Sequence, residues 1–272
     1  MTDKQNEFAK QVENSLGDDE QRQEQLNAFL SKLEAAKKAD VPPTAEEEAY
    51  FQIDYQITDE VLADEAFLKL SEAEQKTYHE AFELYSQDPQ QAIARLQELV
   101  ERYPDIPSLA NNLMALRQHH APQAHPPEAA AKELWEQFPK YLFAMINHGK
   151  FLIDRGAFDE LANMLNYQFK LSDLYPEKAV FHVSEHVNFL GLLGLYYSRQ
   201  GRFSVAVMCY DLISQFDQDY PIVSELLVEL QRNPLALALK YASTIDAETR
   251  PEGLEIPDDL LKDLAKAPTT PE

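Results

Sequence analysis

His182 and His186, in Phe181-His182-Val183-Ser184-Glu185-His186, stand four residues apart. At that separation one helix face offers two imidazoles to a single zinc ion. The glutamate sits beside the second histidine, so the metalloprotease arrangement of His-Glu-x-x-His is absent. Four residues beyond His186 comes Leu190, followed by Leu193, Gly194 and Tyr197. The pair is therefore expected in line with a packed apolar seam, as core or interface histidines in preference to a metal site. A third ligand would have to come from His119, His120 or His125, which read as an exposed insertion. Other chemistry finds little support. The chain has no Gly-x-Ser-x-Gly elbow and no Gly-x-x-x-x-Gly-Lys phosphate loop. Pairs such as Glu98/Glu101 and Asp159/Glu160 read as solvated helix faces. Cys209, the single cysteine, lies in Ala206-Val207-Met208-Cys209-Tyr210 and is expected as a small core residue. The residues alone thus favour a protein that is not an enzyme and carries no cofactor.

Charge narrows the partners. The 272 residues hold 47 acids against 24 bases, a net charge of −23, and so negative a surface repels phosphate backbones and anionic headgroups. Nucleic acid and membrane are disfavoured as partners. Seven glycines beside sixteen prolines argue against a dinucleotide-binding fold or a β-sandwich. Met1 to Glu7 contains no apolar targeting core and no 18-residue apolar run occurs, so a cytoplasmic location is expected. The excess is uneven, with 17 acids and 7 bases in residues 1 to 70.

Patterning places these residues on helices. Residues 1 to 40 hold two amphipathic stretches, Phe8/Val12/Leu16 and Leu26/Phe29/Leu30/Leu33. From Pro42 to Glu65 there are eight acids and no base, interleaved with aromatics. Ile53, Tyr55 and Ile57 alternate with polar residues, which fits a short extended piece. Two readings of this segment stand: a strap in which Tyr50, Phe51, Ile53 and Tyr55 cover an end of the helical domain, or a pseudo-ligand lying in a binding groove. From residue 58 the period is expected to be helical throughout, with helices ending at Asp88-Pro89, Tyr103-Pro104, Phe138-Pro139, Arg155-Gly156, Tyr175-Pro176, Gln200-Gly201, Tyr220-Pro221 and Asn233-Pro234. Three regions follow: an acidic N-terminal segment over 1–57, a helical domain over 58–246, and an acidic, Pro-containing tail over 247–272.

The helical domain repeats itself. Leu190-Gly191, Gly194, Tyr197, Gly201, Phe203, Ala206, Tyr210 and Ile213 form a register that returns, more weakly, as Asn147-His148-Gly149, Leu152, Gly156, Phe158, Leu161 and Leu165. Half-units recur at Ala92/Leu96/Leu99 and at Leu237/Tyr241, and a degenerate unit fits Pro107 to Pro139 if residues 119–127 are a lengthened turn. Gly194 and Ala206 would let two helices approach closely, and Gly201 suits a helix C-terminus. Trp135 is expected as a packing anchor.

This pattern resembles the tetratricopeptide repeat, a helix-turn-helix unit of about 34 residues. The resemblance implies an all-α protein, an α-α superhelix of four to five antiparallel helix pairs whose first helices line a concave groove. The groove positions it implies are Phe143, Ile146, Asn147, Lys150, Ile153 and Asp154 in one unit, and Asn188, Leu192, Leu195, Ser198 and Arg199 in the next. The family's carboxylate clamp is not matched, because the first unit offers Glu74, Thr77 and Ala81. The function expected is a non-enzymatic adaptor or chaperone-like protein that holds a basic or amphipathic protein or peptide in the groove. The alternatives are a regulatory or sensor domain controlling an enzyme or secretion machine, and a metal-binding helical enzyme using His182 and His186.

Overall fold

The computed structural model describes residues 38, 40–60, 66–121, 123–216, 220–233 and 236. The expected N-terminal amphipathic stretches, the half-unit at Leu237 and Tyr241, and the tail over 247–272 lie outside them. Eleven α-helices, one 3₁₀ turn (Phe67–Lys69) and two three-residue strands make up the regular structure of the described residues, so the chain is mostly helical. It divides into two compact units, Ile53–Leu192, and Met1–Gln52 together with Leu193–Glu272.

The first unit begins with β1 (Gln56–Thr58) and continues through α2 (Glu72–Tyr85), α3 (Pro89–Arg102), α4 (Pro107–His120), α5 (Pro127–Gln137), α6 (Leu142–Asp154), α7 (Phe158–Met164) and α8 (Leu171–Leu174) to β2 (Val180–His182). From α2 to α7 each helix packs on the next. Local chemistry sets the boundaries. Ser71 and Glu74 form a reciprocal capping box at the start of α2, and Asp88 caps α3 by accepting from the Gln91 N–H at 3.0 Å. Asp88-Pro89 and Tyr220-Pro221, read from the sequence as helix ends, are helix starts. Proline occupies the first turn of α3 and of the helix after Tyr220, where its missing N–H leaves no intrahelical bond unmade. Tyr103, Phe138 and Tyr175, each followed by proline, do close α3, α5 and α8. Leu70, Leu96, Leu99, Ile106, Leu109, Leu113 and Leu116 form one buried cluster among α2, α3 and α4.

Uninterrupted helix after residue 58 does not hold. Val180, Phe181 and His182 form a strand that pairs in parallel with β1, with Gln56 opposite Val180, Ile57 opposite Phe181 and Thr58 opposite His182. Of the alternating residues Ile53, Tyr55 and Ile57, the strand includes Ile57. Its partner lies too far along the chain for local pattern to reveal. Helix α9 (Val183–Arg199) follows directly.

The second unit contains α1 (Ala45–Tyr50), the end of α9, α10 (Phe203–Ile213) and α11 (Pro221–Gln231). The turn closing α9 is a Schellman motif: the Gly201 N–H donates to the Ser198 carbonyl and the Arg202 N–H to the Tyr197 carbonyl. Gly201 adopts φ +77°. Helix α6 ends in the same way through Gly156 at φ +69°, with Ala157 donating to Leu152 and Gly156 to Ile153. These are the two units whose sequences match best. No atom lies within 4 Å of a methyl added at Gly201, so Gly201→Ala incurs only the backbone cost of a left-handed residue. We expect a loss of about 1 kcal/mol, measurable by urea denaturation.

Candidate functional site

Side chains join helices α2, α4 and α6 to one another. Asn112 Nδ2 on α4 donates to the Tyr78 hydroxyl on α2 at 2.6 Å. Asn147 Nδ2 on α6 donates to Asn111 Oδ1 on α4 at 2.9 Å. The partners are 34 and 36 residues apart, one repeat length. The loops repeat the relation: Gln137 Nε2 donates to the Pro104 carbonyl and the Tyr175 hydroxyl to the Lys140 carbonyl, across 33 and 35 residues.

The predicted groove residues divide sharply by exposure. Ile146 and Ile153 are 3% exposed, Leu192 is 0% and Leu195 is 6%, and Ser198 is buried with them. The expectation that these apolar side chains face a ligand is corrected: they are buried in the core. Phe143, Asn147, Lys150 and Asn188 are half-buried, the class that a surface contact requires. Asp154 is exposed. Asn188 Nδ2 donates to the Ser184 carbonyl one turn back, and Arg199 pairs with Glu229 at 2.9 Å. Glu74, at a clamp position, accepts from Ser71, Arg102 and the Tyr103 hydroxyl. These donors hold its carboxyl down at about 2. Ala81 is fully buried.

The histidine pair does not share a helix face. His182 ends β2 and acts as the N-cap of α9: its Nδ1 accepts from the Ser184 N–H at 3.1 Å and lies 2.7 Å from the Ser184 hydroxyl. The Glu185 carboxylate returns the favour to the His182 N–H at 2.9 Å and binds Lys178 Nζ at 2.6 Å. His186 is 0% exposed, its Nδ1 lies 2.7 Å from the Tyr55 hydroxyl, and burial pushes its pKa down to about 4. One ring nitrogen of each imidazole is thus occupied by the protein itself. Among the described residues no group of three or more His, Cys, Asp and Glu could hold a metal ion. Cys209 is fully buried and burial raises its thiol pKa, which makes it inert. His148, in the leucine position of the weaker repeat, is buried and stacks on Trp135 at 5.1 Å, so the tryptophan packs as expected.

The segment before β1 packs through Phe51 and Tyr55, two of the aromatics of the strap reading, and adds polar contacts that the sequence reading did not name. In the second unit, Arg202 binds both carboxylate oxygens of Glu47, with Nη2 to Oε2 at 2.6 Å. Phe51 meets the Tyr197 ring edge-on at 6.5 Å, and Asp40 accepts from the N–H and hydroxyl of Ser204. Ile53, expected to cover apolar surface, is 45% exposed. In the first unit Tyr55 packs on Phe181 at 4.8 Å and Asp54 pairs with Lys170 at 2.6 Å. The signal available was Gly201-Arg202-Phe203-Ser204, a cation and a helix start directly after a C-cap glycine.

A cleft of about 210 Å³ lies among α3, α4 and α5, with Val100, Leu113 and Leu134 below and Arg117, His125 and Glu133 on its walls. It is smaller than typical small-molecule sites. No described helix is long and apolar enough to cross a membrane. No family model, curated protein or solved structure matches the chain.

Proposed function

We propose that the helix hairpins are tetratricopeptide-like repeats and that the protein is a non-enzymatic adaptor, binding a partner segment on the first helices of its 53–192 unit. The observation that supports this is the pair of hydrogen bonds linking α2 to α4 and α4 to α6 at one repeat length. Such a ladder fixes successive first helices side by side, which is how repeat proteins build an extended binding surface. The contact residues are then Phe143, Asn147, Lys150 and Asn188. Phe143 supplies an aromatic anchor of the kind that dominates interface energetics, and Asn147 and Asn188 supply amide groups for a peptide backbone. The net charge of −23 favours a basic or amphipathic client and speeds its encounter.

The test is affinity capture from the native cell with mass spectrometry, followed by titration of the captured client against wild type and the Phe143→Ala/Lys150→Ala double variant. At least tenfold weaker binding by a variant of unchanged helicity is expected. A client bound equally well by both proteins would place the interaction elsewhere. The affinity should also fall as salt rises from 50 to 500 mM if charge selects the client.

A further inference from the structure

We propose that Tyr197, Arg202 and the first turn of α10 form a docking site for an acidic helical segment ending in an aromatic residue, and that residues 40–51 occupy this site in the chain itself. The site belongs to the second unit and does not depend on the reading of the preceding section.

Three side chains hold the resident segment. Asp40 accepts from the Ser204 N–H and hydroxyl at the start of α10. Glu47 takes both terminal nitrogens of Arg202, and Phe51 sets its ring against Tyr197. The Arg202 guanidinium itself lies over the Tyr197 ring at 5.6 Å, so cation and aromatic form one surface that reads a carboxylate and a ring together. Glu47 and Phe51 are each 8% exposed, whereas every other residue from Val41 to Gln52 is exposed or half-buried. The hold is narrow. Helix α1 has six residues and carries its own capping box, Thr44 with Glu47. A helix that short is not stable alone, so its order depends on these contacts. An element with few buried contacts sits at the low end of local stability and opens more often than the helices beneath it.

Opening would uncover a bidentate arginine, two donors at a helix start and an aromatic face, in a chain whose charge is otherwise strongly negative. Arg202 Nε is buried and has no hydrogen-bond partner among the described residues, so the resident segment leaves one donor of the fork unused. A partner segment that spaces an acid, a second acid and an aromatic as Asp40, Glu47 and Phe51 are spaced would meet the same three points. It competes with an intramolecular occupant whose effective concentration is of the order of millimolar.

The probe is a fluorescent peptide with the sequence of residues 38–52, titrated against the full-length chain. We expect at least tenfold tighter binding to the Asp40→Asn/Glu47→Gln variant than to wild type, and a return to background when Arg202→Gln is added. Equal affinity for wild type and the double variant, with unchanged circular dichroism, would overturn the proposal. Hydrogen exchange on wild type gives an answer that needs no substitution. Amides of residues 48–51 are expected to exchange at least a hundredfold faster than those of residues 207–213, and comparable protection would show a fixed structural strap.

Discussion

Replacing Gly194 by valine should remove about 3 kcal/mol of stability. A methyl at this position would overlap the Cδ2 of Leu226 and lie 3.1 Å from the Cβ of Cys209, so α9, α10 and α11 meet where a side chain is missing. Glycine inside a helix costs about 1 kcal/mol relative to alanine, and its presence here is explained by that close approach. Valine adds three carbons to a space already filled by buried side chains, and Cys209 and Leu226 are both 0% exposed. Overpacking of this kind costs about 1 to 3 kcal/mol, with the upper end expected for a branched side chain among fully buried neighbours. Urea denaturation should show the midpoint falling with its slope unchanged. Gly149→Ala should be milder, because it adds one carbon whose nearest neighbours, the ends of Leu161 and Leu192, stand off at 3.0 and 3.2 Å. A valine variant within 0.5 kcal/mol of wild type would show that α11 shifts freely from α9.

Acidification should destabilise the protein well before its carboxylates titrate. Burial lowers the His186 pKa from 6.5 to about 4. Above pH 6.5 the imidazole is neutral in both the folded and the unfolded chain and contributes no slope. Between 6.5 and 4 the unfolded chain binds a proton that the folded chain refuses, so stability falls with pH and levels off below 4. The full shift corresponds to about 3 kcal/mol. The Tyr55 hydroxyl and ring pack against the imidazole, and burial is the cause of the shift. His148 moves the same way, chiefly through burial, and adds to the loss in this window. Glu47 and Glu74 lie below their ordinary value of 4.5. Their contribution is present above that value and is lost only as the pH falls beneath it. Unfolding free energies measured at pH 7.5, 6.5, 5.5 and 4.5 should therefore decline through the histidine window, and His186→Gln should flatten most of that decline. An unchanged slope in the variant would assign the acid sensitivity to other groups.

Helix identity and helix ends were largely legible because both are local. Gly156 and Gly201 announce helix C-termini, and the prolines mark boundaries whichever side of them the helix lies on. The close-packing role of Gly194 was legible for the same reason, since a glycine amid Leu190, Leu193 and Tyr197 has no local advantage. Phe143, Asn147, Lys150 and Asn188, half-buried here, were groove positions implied by the repeat resemblance. Register could not separate them from Ile146, Ile153, Leu192 and Leu195, because a helix packed on two sides buries positions that a helix packed on one side would expose. His182 misled for a different reason. The i, i+4 spacing assumes that the helix already runs through residue 182, whereas pairing with β1 keeps that residue extended and turns its imidazole into a cap.

By itself, then, the sequence determined that the chain is mostly helical and which glycines and prolines bound its helices, since these follow from contacts within a few residues. Tertiary structure decided the parallel pairing of Gln56–Thr58 with Val180–His182, the burial of His186 beside Tyr55 and the grip of Arg202 on Glu47. Each of these joins residues more than a hundred positions apart. Their free energy comes from burial and charge pairing that exist only once the chain has folded back on itself, and no local propensity encodes them.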